Sequence, residues 1–283
     1  KDHSSSESEF TAKFEDALAM LQIEVTYKLH ASSVLTIDSK VTNIGKGDYT
    51  VNQFLNWLPL PTQANEVMDF GGRWAKERQM QRHEMNFGLS TRESFEGRSG
   101  LNHTILQLAL NNSTNFNSGE AWSMGMAWSG NNIYHVEKLV DNNRSIGAGE
   151  LLLPGEMILK QGESYEAPST IATYSANGLD GITNNHYSYI RGKHPKKPRP
   201  LILNTWEAIH FDHSFDRIKR IVDKAAEVGV ERVVLDDGWF GSRRNDRSGL
   251  GDWVVSNEVW PDGLKPLADY INSKGMEFGL WFE

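Results

Sequence analysis

His194-Pro195-Lys196-Lys197-Pro198-Arg199-Pro200, followed at once by Leu201-Ile202-Leu203-Asn204-Thr205-Trp206, decides how this chain is read. Proline lacks a backbone N–H and fixes φ. Three prolines in six residues therefore fit neither a sheet interior nor a helix interior. Residues 194–200 are expected to form a stiff linker and the domain boundary. The apolar run that follows reads as a short buried strand.

Downstream of the linker, strand and helix patterns alternate. Ser214 to Glu227 sets Phe215, Ile218, Ile221, Val222 and Ala225 on one helical face, with Ser214 as N-cap and Gly229 as the stop. Arg232-Val233-Val234-Leu235 is a second buried strand. Gly263 to Ser273 is a second helix, with Leu264, Leu267 and Ile271 on one face and Gly275 ending it. Glu277 to Phe282 is a third strand. This order is the opening of a parallel α/β domain. Three such strands leave an open apolar edge, so the chain is expected to be part of a longer one.

Upstream of residue 194 the period is two. Ile23 to Leu29, Val34 to Val41, Thr104 to Leu110, Trp122 to Trp128 and Ile133 to Val140 read as strands separated by Asn-, Gly- and Ser-rich turns. Gly155 to Thr173 holds two more around a Gly162 turn. Many short strands predict a β-sandwich over residues 1–193. Gly178 to Arg191 is the one helix expected there.

The chemistry sits at the strand ends. The first strand ends in Asn204, Trp206 and Glu207, the second in Asp236-Asp237-Gly238-Trp239, the third in Trp281 and Glu283. In a (β/α)₈ barrel all strand C-termini open on one face, which is the active site. Carboxylates accept hydrogen bonds from sugar hydroxyls and indoles stack on C–H faces, so this composition suits a sugar pocket. Two adjacent carboxylates after a buried strand repel each other and lose solvation, and a ligand rich in hydroxyl donors would compensate them. They read as binding groups and not as a catalytic pair, because the two carboxyls of a retaining glycosidase face each other across the scissile bond about 5–5.5 Å apart, as neighbours on one loop rarely do. Arg243 and Arg244 read as loop or interface charges, Asp246 and Asp252 as solvated or capping groups. His186 and His210 have no ligand-spaced partners. Trp57, Trp122 and Trp128 are expected to pack in the sandwich core.

Composition bounds the function class. The chain has 283 residues, 39% apolar and 23% charged, with a formal net charge of −8. That charge argues against nucleic acid as partner. No run of about 18 apolar residues occurs, which argues against a membrane-spanning helix. There are no cysteines, which excludes disulfides and zinc–thiolate sites within these residues. Nine tryptophans are many for this length; indoles are platforms for sugar rings but also large core residues, and composition alone leaves carbohydrate binding the lesser of the two readings. The sequons at Asn102, Asn112 and Asn143 read as surface loops. The Arg191 to Arg199 cluster reads as solvated linker. The start at Lys1 carries neither an initiator Met nor a signal pattern, so localisation stays open, with a soluble, cytoplasmic protein favoured.

Four motifs together resemble glycoside hydrolase family 36 α-galactosidases in order and spacing. They are Asn204-Thr205-Trp206-Glu207-Ala208, Leu235 to Gly241, Gly249-Leu250-Gly251-Asp252-Trp253, and Phe278 to Glu283. The first half is similar to that family's N-terminal β-supersandwich at Glu15 to Leu18, Gly72 to Arg78 and Trp128 to Asn131. The resemblance implies a supersandwich over 1–193, incomplete at its start, and the first part of a (β/α)₈ catalytic barrel over 201–283. It implies retaining hydrolysis of terminal α-linked galactose in raffinose-type oligosaccharides, by two Asp residues that lie beyond this chain. No catalytic residue is therefore assigned within it, and the piece alone is expected to be inactive. Asp236 and Asp237 would bind galactose hydroxyls, O4 and O6. Trp206 and Trp281 would line that subsite, and Trp74 would sit at the pocket mouth, its own or a neighbouring subunit's. No metal or other cofactor is implied, and a homo-oligomer, often a tetramer in this family, is. An α-N-acetylgalactosaminidase or galactosyl transferase of the same fold, or a non-catalytic carbohydrate-binding protein, remains an alternative.

Overall fold

A computed structural model describes residues 2–5, 8–194 and 198–283. The chain divides into two compact units, 1–195 and 196–283. Pro195-Lys196-Lys197, the middle of the expected linker, lies outside the described residues.

The first unit is built of strands β1 (Asp2–Ser5), β2 (Glu9–Asp16), β3 (Leu21–Leu29), β4 (Val34–Asn43), β5 (Tyr49–Thr50), β6 (Asn56–Leu60), β7 (Glu66–Arg73) and β8 (Lys76–Glu84). It continues with β9 (Gly88–Ser94), β10 (Leu106–Leu110), β11 (Ala121–Met126), β12 (Asn132–Lys138), β13 (Arg144–Glu150), β14 (Ile158–Leu159), β15 (Ser164–Ser175) and helix α1 (Gly178–Lys193). A nine-stranded sheet runs β1-β2-β3-β4-β15-β11-β10-β7-β8, and a four-stranded sheet runs β6-β13-β12-β9. Every pairing in both is antiparallel.

Burial explains why the two sheets stack. Ile37, Val67, Ala109, Met124 and Ala172 of the large sheet share one core with Leu60, Tyr134, Val136, Ile146 and Ala148 of the small one. Tyr134 and Val136 in β12, and Ile146 and Ala148 in β13, lie two positions apart, as one face of a strand requires. Asn56 crosses this interior, where its amide donates to Thr170 Oγ1 at 3.2 Å and its carbonyl accepts from Ser39 Oγ. On the outer face of the large sheet, Ile182 of α1 closes a second cluster over Met68, Leu108, Leu110 and Ala121. Pro168 sits where the β15–β4 register shifts, between Ala167 and Thr170, because a residue without an N–H cannot hold its place in the ladder.

Some expectations need correction. Strands β6, β7, β8, β9 and β13 carry no clean alternation in the sequence, whereas β2 does, at Phe10, Ala12 and Phe14, and the sequence reading misses it. The clearest case is β8, Lys76-Glu77-Arg78-Gln79-Met80-Gln81-Arg82-His83-Glu84, which is exposed along its whole length. A hairpin arm wet on both faces leaves no period for a sequence reading to find. Trp57 and Trp128 are not core residues: they are 37% and 44% exposed. Trp57 stacks on His135 with centroids 5.4 Å apart.

The second unit holds β16 (Ile202–Asn204), α2 (Trp206–Ile209), α3 (Phe215–Glu227), β17 (Arg232–Leu235), α4 (Lys265–Ser273) and β18 (Glu277–Leu280). Its three strands form one parallel sheet in the order β16-β17-β18, with Ile202 beside Arg232 and Arg232 beside Glu277. In α3, Ile218, Val222 and Ala225 are buried at helical spacing against Val233 and Leu235, with Leu267 and Ile271 of α4 in the same core. Gly229, at φ +80°, lies just beyond the end of α3.

The helix starts differ in detail from the sequence reading. Ser214 occupies the N-cap position of α3 with extended backbone but makes no side-chain cap bond. The second helix begins at Lys265 rather than Gly263, because Gly263 takes φ +70° and Pro266 favours the first turn. The first strand stops at Asn204 and the third at Leu280, so Trp206 and Trp281 follow the strands instead of ending them.

Candidate functional site

A parallel sheet sends all its strand C-termini the same way, and the residues beyond them gather at one end of the second unit. Asp236 and Asp237 follow β17 directly and are 7% and 6% exposed. The apolar Val233-Val234-Leu235 run buries the strand, which carries the carboxylates out of water with it.

Asp236 is held from the first strand. The Asn204 amide donates to Asp236 Oδ2 at 2.5 Å, and Thr205 Oγ1 accepts the Asp236 backbone N–H at 3.0 Å. Thr205 is fully buried and its own N–H donates to the Val234 carbonyl at 3.1 Å, extending the ladder one step past β16. Asn204 also accepts the Trp206 N–H at 2.8 Å, which turns the chain into α2. Asp236 Oδ1 is bent back to accept the Asp237 N–H at 2.6 Å.

Asp237 faces a different partner. Arg243 Nε donates to its Oδ1 at 2.9 Å, and Arg243 Nη2 donates to Oδ2 at 2.9 Å. Arg243 is 5% exposed, so this is a buried ion pair and not the loop charge expected from the sequence. The bond to Asp237 raises the Arg243 guanidinium above its ordinary range. His213 Nε2 donates to the Asp237 carbonyl at 2.8 Å, and burial pushes that imidazole below its ordinary value. Gly238 takes φ +104°, and a side chain there would press on His213 and Phe211.

The aromatic expectations separate. Trp206 is half-buried, with edge contacts to His210 and Phe211 at 4.9 and 5.2 Å. Trp281 is half-buried against the unit's core, and its carbonyl accepts the Trp239 indole N–H at 3.0 Å. Trp239, read from the sequence as part of the pocket, is instead 2% exposed and packs with Phe240, Trp253 and Phe282. Trp74 belongs to the first unit, where it tips the β7–β8 hairpin and is 78% exposed.

Asp236, Asp237, Asn204, Thr205, Arg243 and His213 thus form one bonded group at the strand ends. The sequence reading missed Thr205, Arg243 and His213 as members. One signal could have found Arg243: a buried Asp-Asp pair calls for a cation, and arginines follow at positions 243 and 244. Chemically the group offers fixed acceptors to a hydroxylated ligand, with one guanidinium against two carboxylates. Among the described residues, no group of three His, Cys, Asp or Glu side chains is placed to hold a metal ion. Among the described residues, no helix is long and apolar enough to cross a membrane.

Comparison with known proteins places these features in a family. Residues 2–160 match the glycosyl hydrolase family 36 N-terminal domain and residues 164–283 match melibiase. An α-galactosidase of Escherichia coli is 36% identical over 273 residues, covering 95% of this chain and 39% of that protein. α-Galactosidase Mel36A of Lactobacillus acidophilus is 32% identical, covering 95% of this chain and 38% of its own length. The chain thus spans about two-fifths of these relatives. A crystal structure of a variant of the family 36 α-galactosidase AgaA from Geobacillus stearothermophilus, in complex with raffinose, superposes with a TM-score of 0.89 at 30% identity, over 97% of this chain and 39% of that one. A stachyose complex of another variant gives 0.88 at 29% identity, over 99% of this chain and 40% of that one.

Proposed function

The chain belongs to glycosyl hydrolase family 36, and from that premise we propose that the whole protein is a retaining exo-α-galactosidase. It releases terminal α-linked galactose from raffinose-type oligosaccharides and other α-galactosides. The second unit is the start of a (β/α)₈ barrel. Asp236 and Asp237 accept hydrogen bonds from the galactose hydroxyls O4 and O6, and Trp206 and Trp281 line the same subsite. Trp74 is a substrate contact offered by the exposed hairpin. Two further Asp residues outside residues 1–283 act as nucleophile and acid/base in a double displacement. The protein works as a homo-oligomer, with a tetramer as the assembly the family resemblance implies, and the domain limits are 1–193, 194–200 and 201–283.

The observation that carries this reading is the bonded pair of aspartates at the end of β17. Asp236 is fixed by Asn204 on the neighbouring strand, so its acceptor geometry is set before a ligand arrives. Pre-set acceptors in a buried site favour a neutral polyol whose hydroxyls replace the lost water. The relatives crystallised with raffinose and stachyose hold sugars of that kind.

Hydrolysis of an aryl α-galactoside by the whole protein tests the proposal, with the β-galactoside and the α-N-acetylgalactosaminide as controls. Turnover of the α-galactoside alone is expected. Turnover of the acetamido sugar alone would keep the fold and mechanism but move the substrate. Turnover of none would overturn the hydrolase reading.

A further inference from the structure

The two aspartates are bonded unequally, and the loop that follows them carries the reason. Beyond Gly238 the chain runs out and returns: Gly241 N–H donates to Val254 O at 2.7 Å, and Ser256 N–H donates to Trp239 O at 3.0 Å. Arg243 reaches back from this loop to the strand end. Its Nε and Nη2 hold Asp237, and its Nη1 donates to the Ser248 carbonyl at 3.1 Å. All three guanidinium nitrogens are therefore engaged. Gly249 lies against the Arg243 backbone, where a Cβ would come within 2.9 Å of its N, so the loop closes over the arginine without room for another side chain. Arg244 ties the base of the same loop, donating to the carbonyls of Gly238 at 2.6 Å and Gly241 at 2.9 Å.

We infer that Arg243 is a positioning residue for sugar recognition: it fixes the Asp237 carboxylate side-on and so decides which of its lone pairs face the ligand. The inference rests on the proposed role of Asp237 and extends it to a residue outside the strand ends. A carboxylate gripped through both oxygens by a planar guanidinium cannot rotate about its Cβ–Cγ bond. Only the lone pairs turned away from Arg243 stay available to hydroxyl donors. The positive charge also leaves the two-carboxylate site with one uncompensated negative charge instead of two. That balance suits neutral hydroxyls over a cation. A lysine at this position would supply the charge as a point and lose the fork that sets the angle.

A double-mutant cycle of Arg243→Met and Asp237→Asn in the whole protein tests this, read in kcat and KM for an aryl α-galactoside and in the unfolding transition. Arg243→Met is expected to lower kcat/KM by at least ~10-fold, with Arg243→Lys between it and wild type. In the Asp237→Asn background, Arg243→Met should cost less than about 2-fold more, because the group it orients is already changed. That double variant also removes the carboxylate that Arg243→Met leaves unpaired, and Arg243→Lys keeps the charge, so the two keep the test open if Arg243→Met alone does not fold. Additive losses in kcat/KM would mean that Arg243 acts only by holding the loop at Ser248, and would overturn the inference. So would coupling seen in stability but not in kcat/KM, or full activity of Arg243→Met. A wild-type protein inactive on every α-galactoside would instead remove the proposed function itself.

Discussion

Each unit buries one aspartate beside one arginine, and the two pairs are built differently. In the sandwich, Asp69 is 3% exposed, and Arg92 Nη1 lies 3.4 Å from its Oδ1, an oxygen that receives no hydrogen bond. Arg92 spends its donors on Gln81 Oε1 at 3.0 Å and on the Phe70 and Asn102 carbonyls at 3.4 Å. Burial pushes the Asp69 carboxyl above its ordinary value. In the second unit, Asp237 is as deeply buried, yet Arg243 spends two nitrogens on it at bonding distance. Burial alone thus says little about a carboxylate. What distinguishes the pairs is whether the cation is dedicated to the carboxylate or to the surrounding backbone.

Breaking the tight pair should have the largest effect. Asp237→Ala strands a buried guanidinium and should cost about 3–5 kcal/mol of unfolding free energy in the second unit. Urea unfolding followed by hydrogen exchange at β17 checks it, and a loss within experimental error would make the two pairs equivalent. Next comes Asp236→Asn, which keeps the shape and removes the charge. Through one charge-assisted hydrogen bond it should cost roughly 2 kcal/mol or more of transition-state stabilisation, read as kcat/KM on an aryl α-galactoside.

The loose pair should respond weakly. Asp69→Asn should change stability by no more than about 1 kcal/mol, because no full hydrogen bond to Oδ1 is lost. The sign with pH also follows. Asp69 has a folded-state value raised above 3.8, so the unfolded chain releases its proton first as pH rises. Its contribution to stability is fully present below 3.8 and is lost as pH climbs through the raised value. Asp69→Asn should abolish that component of the acid limb in pH-dependent melting, and an unchanged limb would show that burial does not strain Asp69. Smallest of all is Lys265→Ala, which removes an exposed i,i+4 pair with Asp269 and should cost no more than about 0.5 kcal/mol.

The two units also differ in how much of them the sequence reveals. Strand β17 and helix α3 are legible because Val233 to Leu235 is an apolar run with Val233 and Leu235 buried, and Ile218, Val222 and Ala225 repeat at helical spacing. Asp236 and Asp237 are legible because two charges directly after an apolar run are costly. Helix α2 is not, since its four residues turn on one side-chain bond, from the Trp206 N–H to Asn204. Arg243 is hidden for a related reason: it meets Asp237 through the return of a loop whose path no local period specifies. In the sandwich, β4 is legible from alternation, whereas β8 is exposed throughout and carries no signal. Sequence patterns record burial by face, and they fall silent where both faces are wet or where one side chain sets the geometry.

Galactose titrated calorimetrically into the whole protein, wild type against Asp236→Asn, tests the central claim most directly. The account predicts measurable binding by the wild type and at least ~10-fold weaker binding by the variant, the worth of one charge-assisted hydrogen bond. Equal affinity in the two proteins would contradict it and remove Asp236 from the sugar site.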